Sequence, residues 1–391
     1  MMHQRLAVLG EGITGTAVKK YFHSQKINLV SVEDADWIIC SPGIPKKKLP
    51  NVRGQFISEL EFSYLLLKQY FPEIPILAIT GTNGKTTVTS LLGHVFNFPV
   101  FGNIGFPLIE VLSLKHIPKL IIVEVSSFQL ELSKDFHANT VIYTSLSEDH
   151  IDRHGSFSAY LAEKKKLQQK QTQKDLLIYN DSDDFLPNFI KTAQAQCLPS
   201  STSTLKIPMN CSIIESNLNC SFLAAQHYGI SQSQFLKRLK TFKKPPYRLV
   251  FEKSILNRQF YNDSKSTNPA STIKAISFFK KKDLLLILSG QDKKGCLNAL
   301  KKACLENVKF LFVFGEMTAL IIDLFKDSHL RCYPHSTLES TLKHCFELSQ
   351  PNDIILFSPA GASFDLFKNF EDRGQCFSEA VYQLSQKVIN L

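Results

Sequence analysis

Long apolar runs are missing from this 391-residue chain. Its most continuous ones, such as Leu284-Leu285-Leu286-Ile287-Leu288 and Phe310-Leu311-Phe312-Val313-Phe314, suit buried strands and fall far short of the ~18 residues of a membrane span. Membrane insertion is therefore not expected. The start, Met1-Met2-His3-Gln4-Arg5, leads into only four apolar residues, Leu6 to Leu9, before Gly10, fewer than the ~7–15 residues of a signal peptide core, so a cytoplasmic protein is expected. The nine cysteines form no Cys-x-x-Cys pair and are odd in number, which speaks against a zinc ribbon or a disulfide framework; they are expected as small core residues. The lysine runs at 46–48, 164–166 and 280–282 lie far apart and lack interleaved aromatics, so no nucleic-acid platform is indicated. No internal repeat is visible either.

What is present is a globular composition, 44% hydrophobic and 20% charged, of a length that fits two or three domains. The excess of 45 basic over 35 acidic residues favours an anionic partner such as a nucleotide or a phosphorylated metabolite. Strand-like runs alternate with helix-length segments, the pattern of a parallel α/β architecture. Proline-containing joints at Phe71-Pro72-Glu73-Ile74-Pro75 and Lys243-Lys244-Pro245-Pro246-Tyr247 divide it into three expected domains, 1–74, 75–244 and 245–391. The weakly periodic stretch from Asp181 to Asn219 receives no assignment.

In the middle domain Ile76-Leu77-Ala78-Ile79 runs into Thr80-Gly81-Thr82-Asn83-Gly84-Lys85-Thr86-Thr87 and then a helical stretch, Val88 to Phe96. This reads as a phosphate-binding loop. Its backbone N–H groups would turn inward around the phosphates, Lys85 would reach the β- and γ-phosphates, and the Thr86 hydroxyl would hold Mg²⁺. Ile79 stands where the general pattern has its first glycine. A second strand, Leu120 to Val123, delivers Glu124 at its carboxyl end, where a carboxylate has a partner in the metal.

The amino-terminal lobe carries Gly10-Glu11-Gly12-Ile13-Thr14-Gly15 directly after a strand, a dinucleotide-type turn. An expected strand from Ile27 to Val32, followed by Glu33, nearly supplies the acid that a nicotinamide enzyme needs. A dehydrogenase would leave the Lys85 loop unexplained, however. Two phosphate-reading loops in separate domains fit ATP on one and a diphosphate-bearing substrate on the other.

Three further clusters could carry chemistry. Ser147-Glu148-Asp149-His150-Ile151-Asp152-Arg153-His154 gathers acids, histidines and an arginine behind the strand-like Thr140 to Thr144. On the helix beginning near Ser156, Phe157, Tyr160, Leu161, Lys164 and Leu167 share one face, which draws Lys164 into an apolar stripe where it needs a partner or a lowered pKa. Snorkelling of its stem is the bland alternative. In the third domain, the loops Tyr261 to Pro269, Ser289 to Gly295 and Ser358 to Asp365 each follow a strand-like segment, at the edge where such sheets place ligands.

Together these residues resemble the ATP-dependent Mur ligases of peptidoglycan synthesis, and among them the D-glutamate-adding ones. The likeness rests on Gly10 to Gly15, Ser41-Pro42-Gly43-Ile44-Pro45, Gly81 to Thr87, Gly102-Asn103-Ile104-Gly105, Glu124 to Leu130, Asp149 to Arg153, Asn262-Asp263-Ser264-Lys265, and Ser358 through Asn369-Phe370-Glu371-Asp372-Arg373-Gly374. The resemblance implies three α/β domains: a Rossmann-like lobe for the UDP-substrate, a central P-loop domain for ATP and Mg²⁺, and a Rossmann-like domain for D-glutamate and ATP.

It further implies a ligase, acting as a monomer, that joins D-glutamate to UDP-N-acetylmuramoyl-L-alanine through an acyl phosphate, with two Mg²⁺ ions. By that likeness, Lys85, His150, Lys164 and Lys265 would be catalytic, and Thr86, Glu124, His150 and a carbamylated Lys164 would hold the metals. ATP would meet Gly81, Thr82, Asn83, Gly84, Lys85, Thr86, Thr87, Arg248, Asp263 and either Asn217 or Asn219. Ile13, Thr14, Ser41, Gly43, Asn103 and Gln129 would line the UDP-substrate; Lys265, Thr267, Lys293, Ser363, Phe364 and Phe370 would surround D-glutamate. Only 25 residues separate Gly15 from Ser41, a shortened span for this family, and Tyr247 stands where a histidine is usual beside Arg248. Another ligase of the Mur and folylpolyglutamate synthetase superfamily is the rival reading.

Overall fold

The computed structural model describes residues 4–207, 213–279, 283–292 and 297–389. They form two compact units: one runs from the amino terminus through Ser147 and resumes over Ser156–Lys244, and the other comprises Glu148–Gly155 and the chain from Pro245 onward.

The first unit holds two sheets. β1 (Leu6–Leu9), β2 (Trp37–Cys40) and β3 (Gln55–Ser58) pair in parallel in that order. The strand expected over Ile27 to Val32 does not form. That stretch contributes one ladder-like bond, from Val30 N to the Leu6 carbonyl, before Ser31 and Asp34 close a turn in which the Ser31 hydroxyl donates to the Asp34 carboxylate at 2.9 Å. Glu33 thus sits exposed in a turn and ends no strand, which removes the acidic partner of the nicotinamide reading.

The second sheet comprises β4 (Ile76–Thr80), β5 (Val100–Gly102), β6 (Ile121–Glu124), β7 (Thr140–Tyr143), β8 (Leu176–Tyr179) and β9 (Gln196–Pro199), all parallel, in the order β5-β6-β4-β7-β8-β9. Alternate side chains face opposite cores. Ile76 and Ala78 join Val123 and Val141 on one side, while Leu77 and Ile79 join Ile122, Ile142 and the helix residues Val88, Leu91 and Leu92 on the other. Burial of both faces explains why these strands read as continuous apolar runs rather than alternating ones. The chain leaves β4 to one side for β5 and β6 and returns to the other for β7, so the carboxyl end of β4 is a topological switch point, where ligands of open α/β sheets bind. Within the unassigned stretch the structure places the helix Leu186–Phe189, the edge strand β9 and the start of the helix Glu215–His227.

In the other unit, β10 (Val250–Ile255) and β11 (Arg258–Asn262) form an antiparallel hairpin whose turn residues Leu256 and Asn257 both have positive φ. β12 (Leu284–Ser289), β13 (Phe310–Phe314), β14 (Cys332–Pro334) and β15 (Ile354–Ala360) extend it in parallel, in the order β10-β11-β15-β12-β13-β14. β15 is last in sequence yet central, which makes the loops after β11, β15 and β12 neighbours at one edge. No described helix is long and apolar enough to cross a membrane.

Candidate active site

Thr80 ends β4, and the next four residues form a turn before the helix Lys85–Phe96. Gly81 (φ 145°) and Gly84 (φ 90°) lie where side-chain-bearing residues are strained, and a Cβ on Gly84 would lie 2.9 Å from the Asn217 amide. The loop is braced from the end of β7. Asn83 N donates to the Ser145 hydroxyl (3.0 Å), the Thr144 hydroxyl donates to the Asn83 carbonyl (2.5 Å), and Thr82 N donates to the Ser145 carbonyl (2.7 Å). Thr86 and Thr87 occupy the first helical turn, half-buried.

Two lysines converge here. Lys85 Nζ donates to the carbonyls of Gly81 (2.9 Å) and Thr82 (2.8 Å), and Lys164 Nζ donates to the same Gly81 carbonyl (2.9 Å) and to the Thr80 hydroxyl (3.3 Å). Lys164 arrives on the helix Phe157–Gln169, capped by the Ser156 hydroxyl, and is 1% exposed. Its Nζ lies 4.8 Å from the centre of the Tyr160 ring, whose hydroxyl bonds Thr82 Oγ1 at 2.9 Å. Snorkelling is excluded, because the ammonium points into the phosphate loop. Lys166 instead pairs with Glu163 (2.7 Å).

Glu124 ends β6 opposite Ile79, fully buried. Its Oε1 accepts from Asn103 Nδ2 at 2.7 Å, while Oε2 has no hydrogen-bond partner. A buried carboxylate oxygen left unmatched is costly unless something binds it. Such an atom beside a phosphate loop is a fitting ligand for Mg²⁺, a hard cation that prefers oxygen. Asn103 therefore orients this carboxylate, and Gln129 Oε1 closes a capping box by accepting from Ser126 N (3.0 Å) and Ser126 Oγ (2.9 Å).

At the amino-terminal turn, a Cβ on Gly15 would lie 1.9 Å from the Gly10 carbonyl, so helix and strand touch through glycine. Ser41 Oγ is buried without a hydrogen-bond partner beside Gly10, and Gly12 leads into the helix Ile13–Ser24 with no side-chain cap. Ile13 is 80% exposed, Thr14 half-buried and Gly43 exposed.

In the other unit, His150 has a left-handed backbone (φ 55°), with Nε2 3.6 Å from the Asp149 carboxylate. Asp149 also accepts from Asn268 Nδ2 at 2.9 Å, which ties the segment 148–155 to the loop after β11. Both oxygens of Asp263 are used, by the hydroxyls of Ser266 (2.5 Å) and Ser358 (2.8 Å) and by Leu249 N (3.0 Å). Burial pushes the Asp263 carboxyl up to about 6, against the lowering effect of those bonds and of Arg248. Lys265 Nζ lies 3.4 Å above the Phe370 ring. Ser363 is buried, Thr267 half-buried and Phe364 71% exposed; Lys293 lies outside the described residues.

Arg373 was legible only as part of a motif. Fully buried, it donates from Nε to the Ser264 hydroxyl (3.1 Å), from Nη2 to the Ser264 carbonyl (2.8 Å) and from Nη1 to the Gly361 carbonyl (3.1 Å). It thereby pins two of the three loops together. Desolvation lowers its pKa to about 9, which leaves it charged at neutral pH. Asn217, 5% exposed, packs over Gly84, whereas Asn219 Oδ1 is buried without a partner. Tyr160 carried a sequence signal, one turn before Lys164 on the same face; Thr144 and Ser145 carried none.

A glycine loop closed by a lysine at the switch point, beside a buried carboxylate, defines an enzyme acting on nucleoside triphosphates. The Mur ligase middle domain matches residues 79–222. The UDP-N-acetylmuramoylalanine--D-glutamate ligase of Thermoanaerobacter sp. (strain X514) is 34% identical over 93% of this chain and 87% of its own length. Similar folds include MurF from Acinetobacter baumannii (TM-score 0.66, 12% identity, 96% of this chain, 92% of that one). Another is the MurF ligase from Thermotoga maritima in complex with ADP (TM-score 0.65, 14% identity, 98% and 99%). The chain belongs to the Mur ligase family, as an ATP-dependent amide ligase.

Proposed function

We propose that this enzyme adds D-glutamate to UDP-N-acetylmuramoyl-L-alanine in cytoplasmic peptidoglycan precursor synthesis. The observation that carries the reading is the similarity, over 93% of the chain, to a protein bearing that ligase's name. The alanine carboxylate attacks the γ-phosphorus of ATP and ADP leaves. The amine of D-glutamate then attacks the acyl phosphate, loses a proton, and phosphate is expelled as the amide forms.

Lys85 and the N–H groups of residues 81–87 stabilise charge on the transferred phosphoryl group. Thr86 and Glu124 would hold one Mg²⁺; His150 and Lys164, the latter as a carbamate, would serve a second. The ions would supply charge neutralisation between phosphate and carboxylate. Support for the carbamate is electrostatic: two ammonium groups sharing the Gly81 carbonyl repel one another, and carbamylation makes one of them an anion. Arg248, Asp263 and Asn217 serve ATP. Ile13, Thr14, Ser41, Gly43, Asn103 and Gln129 serve the acceptor, and Lys265, Thr267, Lys293, Ser363, Phe364 and Phe370 serve D-glutamate.

Mass spectrometry after incubation with ATP, Mg²⁺, acceptor and D-glutamate tests this reading. The product should gain one glutamyl residue. Recovery of unchanged acceptor from protein that binds ATP would refute it.

A further inference from the structure

The first turn of the helix Glu59–Tyr70 presents two buried acids, each 2% exposed, to the central sheet's loops. Glu61 uses both carboxylate oxygens. Oε1 accepts from Asp135 N (2.8 Å), and Oε2 accepts from Lys134 N (3.0 Å) and Phe136 N (2.8 Å). Three successive backbone donors on one carboxylate fix that loop's path. Alongside, the Ser58 and Ser133 hydroxyls bond at 2.7 Å, and Ser58 N donates to the Leu132 carbonyl at 3.1 Å. Glu59 Oε1 accepts from Ile109 N (2.7 Å) and the Ser63 hydroxyl (3.0 Å). The residues gripped are specific. Leu132 to Phe136 follow the helix Ser127–Leu130 that bears Gln129, and Ile109 follows the loop that bears Asn103.

We propose that Glu61, seconded by Glu59, is a positioning residue for the acceptor substrate: it locks the loops bearing Gln129 and Asn103 to the amino-terminal lobe, so that both halves of the nucleotide-sugar site hold one geometry. This rests on the reading of those two residues as acceptor contacts. The phosphate loop, at the end of β4, receives none of these bonds. Loss of the tether therefore weakens acceptor binding and spares ATP, whereas a merely structural role would weaken both or neither.

The test is calorimetric titration of the intact enzyme with UDP-N-acetylmuramoyl-L-alanine and, separately, with ATP. Failure of the wild type to bind the acceptor would overturn the functional reading and this inference with it. Given wild-type binding, Glu61→Gln places an amide N–H₂ against backbone donors, and should weaken acceptor binding about tenfold while ATP binding stays within about twofold. Acceptor affinity within twofold of wild type, or equal losses for both ligands, would overturn the inference. Should Glu61→Gln not fold, Ser133→Ala removes both the hydroxyl bond to Ser58 and the one to the Gln129 carbonyl, and should weaken the acceptor alone about threefold; no change would count against the tether. Asp135→Asn breaks the surface pair with Lys170 and removes a negative charge near Glu61 while keeping the Asp135 backbone N–H on that carboxylate, and should leave both affinities within about twofold. A matching loss there would also contradict the proposal, by tracing the effect to loop charge.

Discussion

In the proposed reaction Lys164 concentrates the chemistry into one side chain, because a buried ammonium aimed at the Gly81 carbonyl would be either a direct charge partner or the precursor of an anionic ligand. Lys164→Ala should lower kcat by about a hundredfold or more, with partial recovery on adding formate or acetate. Recovery with ammonium or methylammonium but not with carboxylates would show that the lost group was simply a cation. Asp263 makes a different prediction. Its carboxyl is raised from 3.8 to about 6, so the folded state holds its proton more tightly than the unfolded chain does. The associated stabilisation is fully present below the unfolded value and is lost as pH rises through about 6. Asp263→Asn should therefore raise the melting temperature at pH 8 and leave it nearly unchanged at pH 5. A larger gain at pH 5 would reverse the sign of the argument.

At the scale of elements, Gly84→Ala tests the loop itself. The left-handed backbone costs a Cβ about 1–2 kcal/mol, and the new methyl would meet Asn217, so ATP affinity should fall at least about tenfold with the fold retained. Unchanged affinity would show that the loop does not need its observed path. This loop was legible in the sequence because strand, glycines, lysine and helix are contiguous, and the placement of Lys164 was legible because its apolar face repeats at helical period. The strand expected over Ile27 to Val32 failed for a local reason: Ser31 and Asp34 turn the chain where periodicity alone suggested extension. The Glu61 tether left no local signal, since its partners lie more than seventy residues away along the chain.

For the whole molecule, what escaped the sequence is order in space rather than identity of parts. Nothing local to Ile354–Ala360 says that β15 lies between β11 and β12, yet that insertion gathers the loops that Arg373 pins. Likewise, the cluster around His150 lies within the central stretch of sequence but packs as part of the carboxyl-terminal unit, through Asp149 and Asn268. The measurement that bears most directly on the account is phosphate release from ATP and Mg²⁺ with UDP-N-acetylmuramoyl-L-alanine, comparing D-glutamate, L-glutamate and D-alanine. Turnover with D-glutamate alone is the predicted result; equal turnover with L-glutamate or D-alanine, or none with any of the three, would contradict it.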